Sequence, residues 1–379
     1  MKNSHNLFRR QKKYHSLSRD NSISIAKAVA IILMVAVHAG MGRGRFLADS
    51  ISAFHMPLFY IVSGMCFNPK YLTCGWNFIE RKIEGVYLPY LKWSLLFLLL
   101  HNVCFRLHLY DAVYGFRGIG TTLYSTHDFL SHARDVIFKM EGHENLLGAF
   151  WFMKPLLLGN ILFYCVLRLT KNNIWLTLGV IAILACVMHT MNLVIPYVNI
   201  TYMIPFAAFF VAAGYGIRTM QMDYDKWYVY LACVIIWLAG AAINPHPSML
   251  NQSAMTLLPY MVSAIAGTLL IILISRQVVE KSAETNNATM HSLYRAMCYI
   301  GDHTLEVMTL HFVAFKLVSW LIVSRYDLPI EQIAEHPVIE MYAQAGWWGA
   351  YLAVGLTVPI IYAYGKDRLL KALGCVKTK

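Results

Sequence analysis

Charge is what this chain has least of. Only 14% of its 379 residues are Asp, Glu, Lys or Arg, where an ordinary soluble protein carries about a quarter. Hydrophobic residues make up 58% and mean hydropathy is +0.50, so a soluble globular enzyme is excluded. The eight cysteines form no C-x-x-C pair and lie mostly inside apolar runs, which makes them small buried hydrophobes and not disulfides or metal ligands. There is no internal repeat, low-complexity tract or appended soluble domain. The formal net charge of +12 would suggest nucleic acid in a soluble protein. Here no nucleic-acid partner is expected, because what counts is where the cations fall along the chain.

Windows of about 20 apolar residues predict ten membrane helices, at 23–41, 50–67, 88–105, 149–169, 174–190, 198–217, 227–244, 256–275, 303–323 and 347–365. The fold class is therefore all-α, a multi-pass protein of the lipid bilayer. Ten is even, so both ends share a side. Outside the spans, Lys and Arg number 21 on the side of the termini and 7 on the other, which puts both termini in the cytoplasm. Residues 1–19 hold six Lys/Arg and no acid. They imitate a signal peptide's basic start, but the apolar run that follows contains Lys27 and further spans come after it, so no cleavage is expected. The chain divides into a basic cytoplasmic segment (1–22), a transmembrane domain (23–365) and a basic tail (366–379). Two outer loops are long. The one at 106–148 carries His108, His127, His132 and His143, with His101 just before it, and their spacing favours solvated histidines over a metal site, so no metal is expected.

The stretch at 23–67 organises the rest. Its two apolar helices hold His38 and His55, and the first also holds Lys27. Eleven residues separate Lys27 from His38, about 16 Å of rise and within roughly 20° of three whole turns, so both lie on one face. One reading is that Lys27 snorkels to the headgroups and His38 caps a neighbouring carbonyl. The other is that ionisable groups at membrane depth are functional.

The surrounding words bear on that choice. K-x10-H in the first span, followed by FHMPLFYIVSG (54–64), resembles the membrane acyltransferase family 3, especially its fucose-4-O-acetylase-like sugar O-acetyltransferases. Further echoes follow in order: ERKIEGVYLPY (80–90), AFWFMKPLLLGNILF (149–163) and IGDHTLEVMTLHF (300–312). The resemblance covers nearly the whole chain. It departs at one point: relatives often carry Asp three residues before the basic residue, where this chain has Ser24, with Asp20 one turn further back.

The resemblance implies an O-acyltransferase of the bacterial inner membrane, passing acetyl from cytoplasmic acetyl-CoA to a hydroxyl of a cell-surface or lipid-linked glycan. In this topology Lys27 sits near the cytoplasmic face and His38 about 22 Å into the membrane, toward the outer side. His55 also starts at the outer side, so the two histidines can meet there. Lys27, Arg81 and Lys82 are candidates to hold the donor's phosphates, although Arg81 and Lys82 also read as ordinary positive-inside charge. Acyl transfer needs a base for the hydroxyl proton, a role for a neutral imidazole. His38 is the candidate, directly or through an acyl intermediate, with His55 orienting or steadying the oxyanion. Ser63 and Gly64 allow close helix approach. Trp151 suits a membrane-interface belt or a sugar platform, and Lys154 just inside needs a partner. His311, with Glu306 and His303 on its cytoplasmic side, is a substrate-site candidate carried mainly by the resemblance.

A transporter of polysaccharide precursors or of a proton-coupled solute would use the same membrane histidines. Against it, no pair of matching Gly/Pro-broken segments marks two inverted halves. A purely structural subunit leaves the Lys27 to His38 register without a purpose.

Overall fold

The computed structural model describes residues 20–42, 46–116, 118–220, 224, 226–244, 247–250, 252–253, 255–285 and 287–374; the basic segment 1–19 and the end of the tail, 375–379, lie outside the described residues. All ten apolar windows fall on helices. Among the described residues seven helical segments are long and apolar enough to cross a membrane, and three shorter ones, Ile174–Thr190, Met203–Thr219 and Trp227–Ile243, are apolar helices of 17 residues. Seventeen residues rise about 26 Å, at the low end for a span. The chain is an all-α, multi-pass membrane protein. Among the described residues the only β pairing is three isolated bridges.

Helix α1 (Asn21–His38) is capped by Asp20, whose carboxylate accepts from the Ser22 amide at 3.0 Å. The second span is two helices, α2 (Phe46–Ser52) and α3 (His55–Met65). It breaks at Ala53 because Pro57 has no N–H for the carbonyl four residues back. The third span starts earlier than hydropathy suggests. It runs as α4 (Gly75–Lys82), one π-turn at Ile83–Tyr87 and α5 (Leu88–Arg106). Pro89 likewise leaves the Gly85 carbonyl without its helical donor, and the Leu88 amide reaches back to Ile83. In the long loop that follows, α6 (Thr126–Arg134) opens on a Ser125–Asp128 capping box. A 3₁₀ stretch, Asn145–Phe152, then leads into α7 (Met153–Leu169).

The remaining helices are α8 (Ile174–Thr190), α9 (Met203–Thr219), α10 (Trp227–Ile243), α11 (Leu257–Glu284), α12 (Ala288–Asp302), α13 (Thr304–Tyr326) and α14 (Trp348–Ala372). Helix α12 falls where the sequence reads as a loop. It is amphipathic and lies along the start of α1, where Ser24 Oγ donates to Asp302 Oδ1 at 2.8 Å and Asn21 Nδ2 to the Tyr294 hydroxyl at 2.6 Å. The acid that relatives often carry at the Ser24 position is thus met here by one from another helix.

The hydrogen bonds between helix ends sort the bundle into two faces. One, the terminal face, holds Asp20, Lys82, Arg218, Asp302 and Lys366. On the other, the loop face, Lys154 reaches Val198 and Asn199, and the His336 amide reaches the Gly115 carbonyl. This grouping is the alternation that ten spans require.

Helices α3 and α9 cross closely. A side-chain carbon at Gly64 would overlap the Val211 carbonyl, and one at Gly214 would overlap the Ile61 carbonyl. Each helix thus uses a glycine to bring its backbone against the other, the small-residue crossing typical of membranes. Gly64→Val should force the two apart and destabilise the fold by about 1–3 kcal/mol, read as a lower melting temperature of the detergent-solubilised protein with Ser63 and its neighbours unchanged.

Candidate active site

His38 ends α1 and His311 lies on the second turn of α13. Their side chains meet: His38 Nδ1 and His311 Nε2 are 3.0 Å apart and the rings are near parallel. His311 is fully buried and His38 half-buried. The Phe312 ring covers both, 5.0 Å from His38 and 3.9 Å from His311, centre to centre. His311 Nδ1 sits 3.0 Å from the Val307 and Met308 carbonyls. Carbonyls only accept, so Nδ1 carries the proton and Nε2 is the acceptor. His38 Nδ1 must then be the donor, and in the neutral ring Nε2 is the nitrogen that carries the lone pair. This tautomer is assigned from the hydrogen-bond network.

On the terminal side, an apolar cavity of about 250 Å³ is lined by Met34, Met56, Phe152, Met153 and Met308, among others. Met34 and Met308 stand one turn before His38 and His311 respectively. The cavity shares Ser63, Cys66, Gly85 and Val86 with a second of about 280 Å³, which opens at the terminal face between Tyr71, Arg81 and Lys82. Lys82 Nζ donates to Ser63 Oγ at 2.9 Å, and Ser63 donates to Asn160 Oδ1 at 2.9 Å. Arg81 is exposed, its guanidinium 5.9 Å from the Tyr71 ring. Lys27, Lys82 and Arg218 all lie close enough to act electrostatically on the Cys66 thiol. The passage therefore has a cationic mouth and an apolar end beneath the histidine pair.

Arg218 was not singled out by sequence reasoning, where it counts only as inner-side charge. Its guanidinium donates to the Met65 and Phe67 carbonyls at 2.7 and 3.1 Å, satisfying the open end of α3.

From the loop face, a pocket of about 280 Å³ reaches inward between Ser94, His132, Glu141, His143, Trp151 and Lys154. Gly148 lines it too, and an added carbon there would stand 3.4 Å from the Phe312 ring. Trp151 faces this pocket and the next residue, Phe152, faces the apolar cavity. Lys154 has its partners: Nζ donates to the Val198 and Asn199 carbonyls and to Glu141, at 2.7, 3.2 and 3.3 Å. The histidines before and within the outer loop do not all sit in solvent. His127 does, but His101 is buried with Nδ1 3.0 Å from Glu144 and its ring stacked on Tyr124, while His132 lies against His143. Among the described residues no three His, Cys, Asp or Glu side chains converge as a metal site requires.

Two further candidates take other places. His55 Nδ1 is 2.9 Å from the Ile51 carbonyl of α2. Glu306 is ion-paired with Lys366 of α14 on the terminal side, next to the pair that His303 makes with Asp367 at 3.0 Å. The partner the structure gives His38 is His311.

A family model described as an acyltransferase domain matches residues 20–366. The chain belongs to the acyltransferase 3 family. No curated protein and no solved structure matches it. For an acyltransferase, the histidine pair offers one lone pair held in a fixed direction, between a passage from one face and a pocket from the other. His311→Leu should lower acyl transfer by about 100-fold or more, on the scale of a lost general base. His311→Gln, whose side-chain oxygen can still accept from His38, should keep more of it. The comparison is of kcat in membranes adjusted to equal protein, with the donor KM unchanged in both.

Proposed function

We propose that the protein passes acetyl from cytoplasmic acetyl-CoA to a hydroxyl of a cell-surface or lipid-linked polysaccharide, in the bacterial inner membrane. What supports the reading is the two-sided approach to one imidazole. The cationic mouth at Lys27, Arg81 and Lys82 suits the phosphates of CoA. The apolar passage beyond it suits the pantetheine arm and brings a thioester toward His38. Phe312 and Gly148 separate this end from the loop-face pocket, where Trp151 suits a sugar ring.

In the direct route the acceptor hydroxyl gives its proton to His38 Nε2 as its oxygen attacks the thioester carbonyl. The new C–O bond forms, the C–S bond breaks, and the proton passes from His38 to the leaving thiolate. In the stepwise route His38 Nε2 attacks the thioester carbonyl and CoA leaves as its thiolate; the hydroxyl oxygen then attacks the acetyl carbonyl, the N–C bond breaks to restore the Nε2 lone pair, and the hydroxyl proton ends on the CoA thiolate. Both use the same lone pair and both need Nδ1–H held by His311.

The test is to incubate membranes holding wild-type or variant protein with radiolabelled acetyl-CoA and extracted surface glycans, then to measure base-labile label in the glycan. His38→Ala should abolish labelling while leaving insertion intact; full activity in that variant overturns the reading. Lys27→Ala should raise the KM for acetyl-CoA by about tenfold, the loss of one charge-assisted contact, with smaller effect on kcat.

A further inference from the structure

The loop-face pocket carries polar groups that acyl transfer does not use. Three buried polar atoms in and behind its wall, the Tyr90 hydroxyl, the Ser94 hydroxyl and His132 Nδ1, make no protein hydrogen bond of good geometry. Tyr90 is 1% exposed and Ser94 3%. They stand one turn apart on α5 and face each other without closing a well-formed hydrogen bond. Buried polar atoms nearly always find a partner, and leaving one without is costly. Ser94 and His132 line the pocket and Tyr90 stands one turn before Ser94 behind it, so this part of the wall holds hydrogen-bonding capacity that the protein does not use.

The charges of the wall, in contrast, are spent. An ammonium has three N–H donors, and Lys154 gives all three, to Glu141, Val198 and Asn199. Glu141 also accepts from Asn199 Nδ2 at 2.7 Å, and Glu144 is held by His101. Outside them Asp135 is held by Lys139 at 3.0 Å, with Arg134 at 3.5 Å and His143 at 3.7 Å. Burial, and then the neighbouring His143, push the His132 pKa below its ordinary value, so that ring is uncharged near pH 7. Half-buried Trp151 adds a flat apolar surface.

We propose that this pocket is the acceptor site and that it takes one uncharged, hydroxyl-rich sugar unit, its hydroxyls meeting Ser94, Tyr90 and His132 and its ring lying on Trp151. The proposal rests on the acyl-transfer reading for the word acceptor, and on the pocket alone for the ligand class. An acidic sugar would bring a carboxylate against Glu141 and Glu144, where Lys154, the lining ammonium, has no N–H to spare. The size agrees: about 280 Å³ is at the small end of ligand pockets, which run from ~300 to ~1,000 Å³. It holds a unit, not a length of chain. Beyond Gly148 stand the Phe312 and His336 rings, and Phe312 in turn lies against the His38 ring.

The test uses the full chain in lipid nanodiscs and tritiated neutral hexose and 6-deoxyhexose oligosaccharides, each matched with the uronic acid of the same ring. Equilibrium binding is measured for wild type, Trp151→Ala, His132→Leu and His132→Gln, with acetyl-CoA binding as the control for folding. At least one neutral sugar should bind, with its uronate at least about tenfold weaker. Trp151→Ala and His132→Leu should each weaken it about tenfold, the scale of a lost stacking or hydrogen-bond partner, and His132→Gln should keep most of it. Uronates bound as well as neutral sugars, no sugar bound, or binding that survives both Trp151→Ala and His132→Leu would overturn the proposal. Neutral sugar binding without acetyl transfer would sink the transfer reading and leave this one standing. Transfer to acidic sugars would do the reverse.

Discussion

One hydrogen bond, from His38 to His311, sets what the rest of the bundle has to accommodate. A fully buried imidazole such as His311 has no water to fall back on, so it must be satisfied by protein. His311 is anchored by its own helix through the Val307 and Met308 carbonyls, and His38 in turn by His311. Helix α1 is therefore fixed in both height and rotation against α13. The clamp of α12 across the first turn of α1, through Ser24 and Asn21, holds the other end. A helix pinned at both ends carries Lys27 and His38 at fixed levels, which is what their eleven-residue register needs.

Around that pair the bundle keeps two compartments apart. The apolar cavity and the loop-face pocket approach the same place from opposite faces, and the 3₁₀ stretch Asn145–Phe152 lies between them. Adjacent residues of this stretch face different compartments, Trp151 one way and Phe152 the other. A 3₁₀ segment turns about 120° per residue, so neighbours point in separate directions without any break in the chain.

Much of this could be read from the chain alone, and the reasons are local. A span announces itself by hydropathy, so all ten windows were legible, as was the Lys27 to His38 face. Breaks within spans follow from Pro57 and Pro89, but hydropathy does not register a missing N–H. Helix α12 was hidden because its apolar stripe is too narrow to lift a window average. The partner of His38 was out of reach because it lies 273 residues away. The expectation that His55 would meet His38 used depth alone, and depth leaves rotation open. Arg218 looked like one more inner-side cation until the α3 carbonyls were seen to end at it. The outer histidines were read as solvated because sequence does not show a loop folding back over a helix end, as happens at His101 and Glu144.

The paired contacts between α13 and α14 bear on chemistry that happens well away from them. His303 and Glu306, one turn apart, grip Asp367 and Lys366, which are consecutive on α14. A single contact would let one helix slide along the other; two, with different spacing on each side, act as a vernier and admit one alignment. His311 is five residues beyond Glu306 on the same rigid helix, so its altitude in the bilayer is read off from a mark at the terminal surface. The height of His311 within the bundle is thus set from its terminal side, by four charged or titratable side chains that make no hydrogen bond to it.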